Sequence, residues 1–235
     1  MRELTAFIRE SLLAQVDEAY REGSRNYFKE PIEPLGVRAA LVKKLAAQVW
    51  RRVKPWSTSE VWQLCRMLWQ TGTMEEGSIA TTLAARMEPR LTPDDFDEFE
   101  AWLQSYVRNW AHCDDLCTHA LGRLLLLHKE LLPRTDPWAV SGNRWLRRAS
   151  AVALIPLAKS GALPPVFERA DALLSDDDDL VRKGLGWMLK EAGRNFPAPV
   201  SAYLLARREQ MARVALRIAV EKLPEDRRRQ CMARP

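Results

Sequence analysis

The chain has 235 residues, 47% of them hydrophobic and 29% charged, with 10 Gly, 14 Pro and a formal net charge of +5. A chain of this length buries a substantial core, and its composition excludes a collagen-like repeat, a low-complexity disordered chain and a disulfide-stapled miniprotein. The charge is uneven: residues 1–100 carry a balance of −2 and residues 101–235 a balance of +7, so a polyanionic partner is expected at the second half.

The N-terminal stretch MRELTAFIRESLLAQ carries Glu3, Arg9 and Glu10 where a signal peptide would be apolar. No run reaches the roughly 18–20 apolar residues of a membrane helix. Four cysteines give no disulfide framework, and a reducing cytoplasm is the expected compartment, with no membrane partner. Nine tryptophans are divided by expectation between the core and a binding face. Nearly every segment reads as helix. Ser57 with Glu60 has capping-box spacing and opens a helix through Val61, Leu64, Cys65 and Leu68 that stops at Gly72. Thr92, Pro93 and Asp95 mark another N-terminus. Asn109 is placed to cap a helix from Trp110 to Leu127, and Asn143 one reaching Lys159. Asp176–Asp179 precede a helix over 180–194, and Glu209–Leu223 forms a last one before Pro224. Hairpin turns and alternating strand patterns are missing, so the fold class is all-α.

The helices repeat. Trp145-Leu-Arg-Arg-Ala, Leu180-Val-Arg-Lys-Gly and Met211-Ala-Arg-Val-Ala align on Arg147, Arg182 and Arg213, at spacings of 35 and 31 residues. Asp179-Leu-Val-Arg182 has the flavour of helical HEAT repeats, which run to about 40–47 residues. Stacked helix pairs of this kind form a solenoid, an α-α superhelix with a concave face, here a basic one. The Pro- and Gly-bearing connections fall between repeats, so residues 1–235 are expected to form a single domain.

Three constellations could carry chemistry. On the helix after the acid run, Val181, Leu185, Met188 and Ala192 form one stripe, while Lys183, Trp187, Lys190 and Arg194 share another face. A tryptophan between cations suits phosphates and a base; it equally suits lysine stems covering an exposed indole. Trp110 and Asp114 are i and i+4, an indole and a carboxylate on one helical face that would attract a cation. In isolation that pattern is better read as a core tryptophan beside a salt-bridging acid. Arg144, Arg147 and Arg148 surround Trp145; Arg147 holds the repeat's own position and reads as structural, whereas Arg144 and Arg148 are candidates for phosphate contact. Tyr27, before the Pro31–Pro34 segment, reads on its own as a packing residue. His112, Cys113, Cys117 and His119 do not converge around a helix, and no metal site is expected. The acid run Asp176–Asp179 lacks the Gly and distal Glu of a calcium loop and is explained as charge at a helix N-terminus.

In chain order, Tyr27-Phe28-Lys29 with Gly36-Val37-Arg38, Asn109-Trp110 with Cys113-Asp114, Arg144-Trp145-x-Arg147-Arg148-Ala149, Gly184-Leu-Gly186-Trp187-x-Leu-Lys-Glu191 and Arg213-x-Ala-Leu-Arg217-x-Ala-x-Glu221-Lys-Leu together resemble the DNA alkylation repair family, the AlkD-type glycosylases built from HEAT-like repeats. The resemblance implies hydrolysis of the N-glycosidic bond of N3- or N7-alkylated purines in double-stranded DNA, by a monomer with no metal or cofactor. It implies that Trp110, Asp114 and Trp187 line the lesion site, Asp114 steadying developing positive charge, with Tyr27 and Arg148 beside them. Arg148, Lys183, Lys190 and Arg194, with Arg144, would hold the DNA backbone. Ala111 stands where the family often has an acidic residue, and Asp115 is the neighbouring carboxylate that could take the working role instead. The reading from a different class is a HEAT-like scaffold that binds nucleic acid or protein without catalysis.

Overall fold

The computed structural model describes residues 1–233. Its regular elements among the described residues are all helical; the one β-type pairing there is an isolated bridge between Glu33 and Thr73. The chain divides into two compact units, Met1–Ala120 and the remainder from Leu121.

The first unit comprises α1 (Arg2–Leu13), α2 (Glu18–Tyr27), α3 (Ala39–Val53), α4 (Thr58–Gln70), α5 (Met74–Arg86), α6 (Asp95–Ser105) and α7 (Trp110–Leu116). Leu4, Ile8 and Leu12 repeat every fourth position and bury one stripe of α1. α5 lies at the centre, packed against α3, α4 and α7. The expected capping box is present: Glu60 accepts from the Ser57 N–H at 2.8 Å while Ser57 Oγ accepts from the Glu60 N–H, and the helix ends before Gly72, whose φ of +75° only glycine adopts easily. Trp62, Phe99 and Trp102 meet edge to face, each pair 5.6 Å apart, and form an aromatic core between α4 and α6. Their indoles are satisfied: Trp62 donates to Asp95 and Trp102 to Glu98, both at 2.6 Å. The N-terminus read at Thr92 begins instead at Asp95, after a turn in which Asp95 Oδ2 accepts from the Thr92 N–H at 2.7 Å.

The second unit comprises α8 (Gly122–Leu127), a long 3₁₀ stretch over Lys129–Val140, then α9 (Arg144–Val152), α10 (Ile155–Ser160), α11 (Leu163–Leu173), α12 (Asp179–Asn195), α13 (Pro197–Arg207), α14 (Arg213–Ala219) and α15 (Glu225–Met232). Pro133 and Pro137 lie inside the 3₁₀ stretch, and in an α-helix each ring would clash with the carbonyl four residues back. α12 packs between α9 and α14. A Cβ on Gly186 would lie 2.7 Å from the Ala215 carbonyl oxygen and one on Gly184 3.3 Å from Val152, so both glycines serve close helix approach.

Three helices are shorter than their sequence patterns. The run expected over Trp110–Leu127 is interrupted by a π-helical turn at Cys117–Leu121. The run from Asn143 to Lys159 breaks at Ala153 and Leu154, because Pro156 has no N–H for the ladder and crowds the preceding turn. The last is only Arg213–Ala219; the Gln210 and Met211 N–H groups both return to the Arg207 carbonyl and close α13 with a turn where Glu209 was expected to be helical.

The repeat read at Arg147 and Arg182 is reproduced bond for bond. Each arginine donates to the carbonyl six residues before it, Arg147 to Ser141 at 2.7 Å and Arg182 to Asp176 at 2.5 Å. Ser141 and Asp176 each accept, through the side chain, the N–H two residues on, and Asn143 and Asp178 are the N-caps that follow. The acid run is therefore a capping loop, with Asp176 also bonded to Arg147 at 2.7 Å. Arg213 breaks the series: it is the first residue of α14 and reaches forward to the Met232 carbonyl. Among the described residues no helix is long and apolar enough to cross a membrane.

Candidate functional site

Of the nine tryptophans, Trp62, Trp69, Trp102, Trp138 and Trp145 are buried, while Trp50, Trp56, Trp110 and Trp187 keep partial exposure. The two indoles singled out from the sequence are thus among the four that can meet a ligand.

In the first unit, α2 ends at Tyr27 and Phe28 leaves it in an extended conformation. Asn109 caps α7, its side chain accepting from the His112 N–H at 2.9 Å, which makes Trp110 the first helical residue. The Trp110 ring stacks on Phe28 with centroids 5.2 Å apart and meets Tyr27 edge-on at 5.9 Å. Tyr27 is 69% exposed, so the cluster opens to solvent and is not a sealed core. Asp114 follows Trp110 by one turn and is half-buried. Its carbonyl oxygen accepts from Thr118 Oγ1 at 2.7 Å, where the π turn begins; such turns recur at functional sites.

The support beneath the cluster is a buried carboxylate. Glu75, in the first turn of α5, accepts the backbone N–H of Leu35 at 2.8 Å on one oxygen and those of Gly36 and Val37 at 2.8 and 3.0 Å on the other. Gly36 is required: at its φ of +95°, a Cβ would sit 2.8 Å from both the Asp17 carbonyl and Arg21 Cβ. Arg21 donates to the Leu35 carbonyl and Arg38 pairs with Asp17 at 2.8 Å. These bonds fix the segment after Phe28 against α2 and α5.

The second carboxylate of α7, Asp115, accepts from Thr81 Oγ1 at 2.7 Å and lies 3.1 Å from His119 Nδ1. Partial burial raises its pKa, but the hydrogen bonds from His119 and Thr81 outweigh this and hold the carboxyl below its usual range. With Ala111 and Phe28, Asp115 lines a cavity of about 250 Å³. Buried His112 has both ring nitrogens in contact with protein, Nδ1 with the Asn109 amide at 3.1 Å and Nε2 with the Met74 carbonyl at 2.9 Å. Desolvation lowers its pKa and keeps the ring neutral. No group of three metal-ligating side chains occurs among the described residues.

In the second unit the two stripes of α12 separate as read: Val181, Leu185, Met188 and Ala192 are buried, and Lys183, Trp187 and Lys190 are half-buried with Arg194 exposed. Each cation has an acidic neighbour, Lys183 with Asp179 at 2.7 Å, Lys190 with Glu221 at 3.2 Å and Arg194 with Glu191 at 3.7 Å. Arg144, also half out in solvent, pairs with the cap residue Asp178 at 2.8 Å. Arg148 departs from the expectation of an accessible phosphate ligand. It is 5% exposed, donates to the Leu180 carbonyl, and lays its stem over Gly184, so it joins α9 to α12. Trp145 is likewise buried and not displayed among guanidinium groups.

Sequence reasoning passed over two contributors. Phe28 sits inside the Tyr27-Phe28-Lys29 motif but carries no polar group to mark it. Glu75 reads as ordinary first-turn charge on α5; its Glu75-Glu76 pairing, two acids at positions that turn out 5% and 2% exposed, offered the only signal.

A family model described as DNA alkylation repair enzyme matches residues 8–223. Among solved structures, a predicted DNA alkylation repair enzyme from Enterococcus faecalis superposes with a TM-score of 0.80 at 18% identity, over 90% of this chain and 98% of that one. AlkD2 from Streptococcus mutans gives a TM-score of 0.61 at 19% identity, over 77% of this chain and 90% of that one. A further protein from Streptococcus mutans UA159 gives 0.60 at 19% identity, over 79% and 97%. At these identities the likeness establishes a shared fold. No curated protein matches the sequence.

Proposed function

The chain belongs to the family of DNA alkylation repair enzymes, and from that premise we propose that it is a DNA glycosylase releasing N3- or N7-alkylated purines from duplex DNA, acting as a monomeric single-domain enzyme. The observation that carries the reading is the solvent-open Tyr27–Phe28–Trp110 cluster with Asp114 one helical turn beyond it. An alkylated purine is cationic before the enzyme touches it, so its ring is drawn to indole and phenol faces and departs without being protonated. Cleavage moves positive charge onto the deoxyribose, as in other oxocarbenium-like glycosyl transfers. Asp114 is assigned to stabilise that charge and orient the attacking water. It is chosen because it shares a helical face with Trp110 one turn away; Asp115, bonded to Thr81 and His119, is the alternative carboxylate. Trp187 of the second unit is assigned to the lesion nucleotide.

Lys183, Lys190, Arg194 and Arg144 are assigned to the DNA backbone. Exposed ion pairs contribute about 0–1 kcal/mol, so replacing a carboxylate partner with a phosphate costs little. Arg148 is assigned the packing role that its burial describes. The reaction needs no metal, and chelator should leave it unchanged.

The test is release of 7-methylguanine from methylated duplex DNA. Wild-type protein is expected to liberate the base. Asp114→Asn, with unchanged circular dichroism, is expected to lose at least about 100-fold in rate, the lower bound for a positioned acid–base group. Binding of DNA with no base released from any alkylated substrate would leave the non-catalytic scaffold as the reading.

A further inference from the structure

Buried His112 does more in the first unit than fill space. Its ring meets Trp69 edge-on at 5.0 Å and lies against Gly77, where a Cβ would come within 2.5 Å of the ring carbon Cε1. A glycine inside α5 weakens the helix, and here its missing side chain makes room for the imidazole. Burial disfavours the charged ring. It outweighs the Met74 carbonyl and the carboxylates of Asp115 on α7 and Glu75 on α5, which favour the cation, and it leaves the ring neutral.

A neutral imidazole has one N–H and one bare nitrogen, and the surrounding atoms decide which is which. The Met74 carbonyl, 2.9 Å from Nε2, can only accept, so the proton is on Nε2 and Nδ1 is an acceptor. Nδ1 then requires the amino end of the Asn109 amide, 3.1 Å away, which also faces the Met74 sulfur at 3.2 Å. The amide oxygen is left for the His112 backbone N–H at 2.9 Å, the bond that caps α7. Turned over, the amide would set its oxygen against two acceptors and its N–H groups against a donor. Met74 and Glu75 are consecutive in the first turn of α5. The start of α7 is thus anchored to Met74, and the segment after Phe28 to Glu75.

The structure assigns His112 as a positioning residue for Trp110: with its proton on Nε2, the ring holds the Asn109 amide in the orientation that caps α7, and so fixes where Trp110 begins the helix against Phe28. Its bearing on base release rests on the proposed glycosylase reading; the bond network does not.

Nitrogen NMR of the full chain, labelled at the imidazole nitrogens, reads the assignment directly. At neutral pH His112 is expected with Nε2 protonated and Nδ1 bare; the opposite tautomer or a doubly protonated ring overturns the inference. Two variants then separate the acceptor from the volume. His112→Asn puts an amide oxygen close to the place of Nδ1, whereas His112→Leu fills the space with no acceptor. In His112→Leu the backbone amide at position 112 is expected to exchange at least about fivefold faster, the order expected for losing a side-chain helix cap. In His112→Asn it is expected to stay protected. Single-turnover release of 7-methylguanine is expected to slow by about 10- to 100-fold in His112→Leu, the scale of a misplacement near 1 Å, and to recover in His112→Asn. A role in folding alone would lower the amplitude, which counts folded enzyme, and leave the rate constant unchanged. An unchanged rate constant or unchanged exchange in His112→Leu, or an equal loss in both variants, overturns the inference. If neither variant folds, the wild-type tautomer decides alone. Wild-type protein that releases no base sinks the glycosylase reading, while the tautomer and the exchange rates still judge His112 by themselves.

Discussion

Glu75→Gln tests whether one buried carboxylate holds the segment that presents Phe28. In the native protein one oxygen takes the Leu35 N–H at 2.8 Å and the other takes those of Gly36 and Val37 at 2.8 and 3.0 Å. Glutamine keeps a single acceptor oxygen. If that oxygen stays on Gly36 and Val37, each bond falls from about 1.5–3 kcal/mol, typical with a charged partner, to about 0.5–1.5. The two together lose about 2 kcal/mol. The new amide group then faces the Leu35 N–H donor to donor, and an unsatisfied amide costs a further 1–3 kcal/mol or so. The opposite amide orientation orphans two N–H groups and is worse. The expected loss is therefore about 3–5 kcal/mol, read as a lower urea midpoint at unchanged slope. Amide hydrogen exchange should show Leu35, Gly36 and Val37 losing protection more than α12 does. A shift below about 1 kcal/mol with Leu35 still protected would refute the idea that Glu75 pins this segment.

Gly186→Ala should destabilise the second unit by about 1–3 kcal/mol, the usual cost of overpacking, because its Cβ would meet the Ala215 carbonyl oxygen at 2.7 Å; a neutral melt would mean that α12 and α14 have room to separate. Stability should fall as pH drops below about 6.5, the ordinary histidine value. Buried His112 resists protonation, so below that pH the unfolded chain binds the extra proton, and the loss continues until the depressed folded pKa is reached. His112→Gln should flatten this part of the urea-midpoint profile. Lys183→Ala should weaken DNA binding equally across sequences and reduce the slope of log K against log salt by about 1. An unchanged slope in that titration removes Lys183 from the backbone contacts.

Local signals that act within one turn were legible in the sequence. Ser57 with Glu60, Asn109 and Asn143 all cap as their spacing indicates, since a capping bond joins residues two or three apart and needs no tertiary information; in the acid run, read only as N-terminal charge, Asp178 is the cap. The 35-residue repeat was legible for the same reason: Arg147 and Arg182 each close a bond to the carbonyl six residues earlier. Arg213 shares the sequence flavour of the pair but stands at the first position of α14, where no preceding loop of that shape exists to receive it. Helix lengths failed where a competing local bond won, as at Pro156 and in the Arg207 turn.

The site divides along the same line. That Trp110 and Asp114 share a face follows from helical spacing alone, whereas the partner of Trp110 does not. Phe28 reaches it across more than eighty residues of chain, and the segment that follows Phe28 is held by the Glu75 carboxylate at a turn whose positive φ favours Gly36. Arg148 makes the converse point. Its charge and its i, i+4 relation to Arg144 suggested a shared phosphate face, yet Gly184 leaves a gap on α12 that the Arg148 stem fills, and the guanidinium is used on the Leu180 carbonyl. A cation in a sequence announces only that it needs acceptors. Whether those acceptors are DNA phosphates or the protein's own carbonyls depends on how closely the facing helix approaches, and at this position a missing Cβ thirty-six residues away decides it.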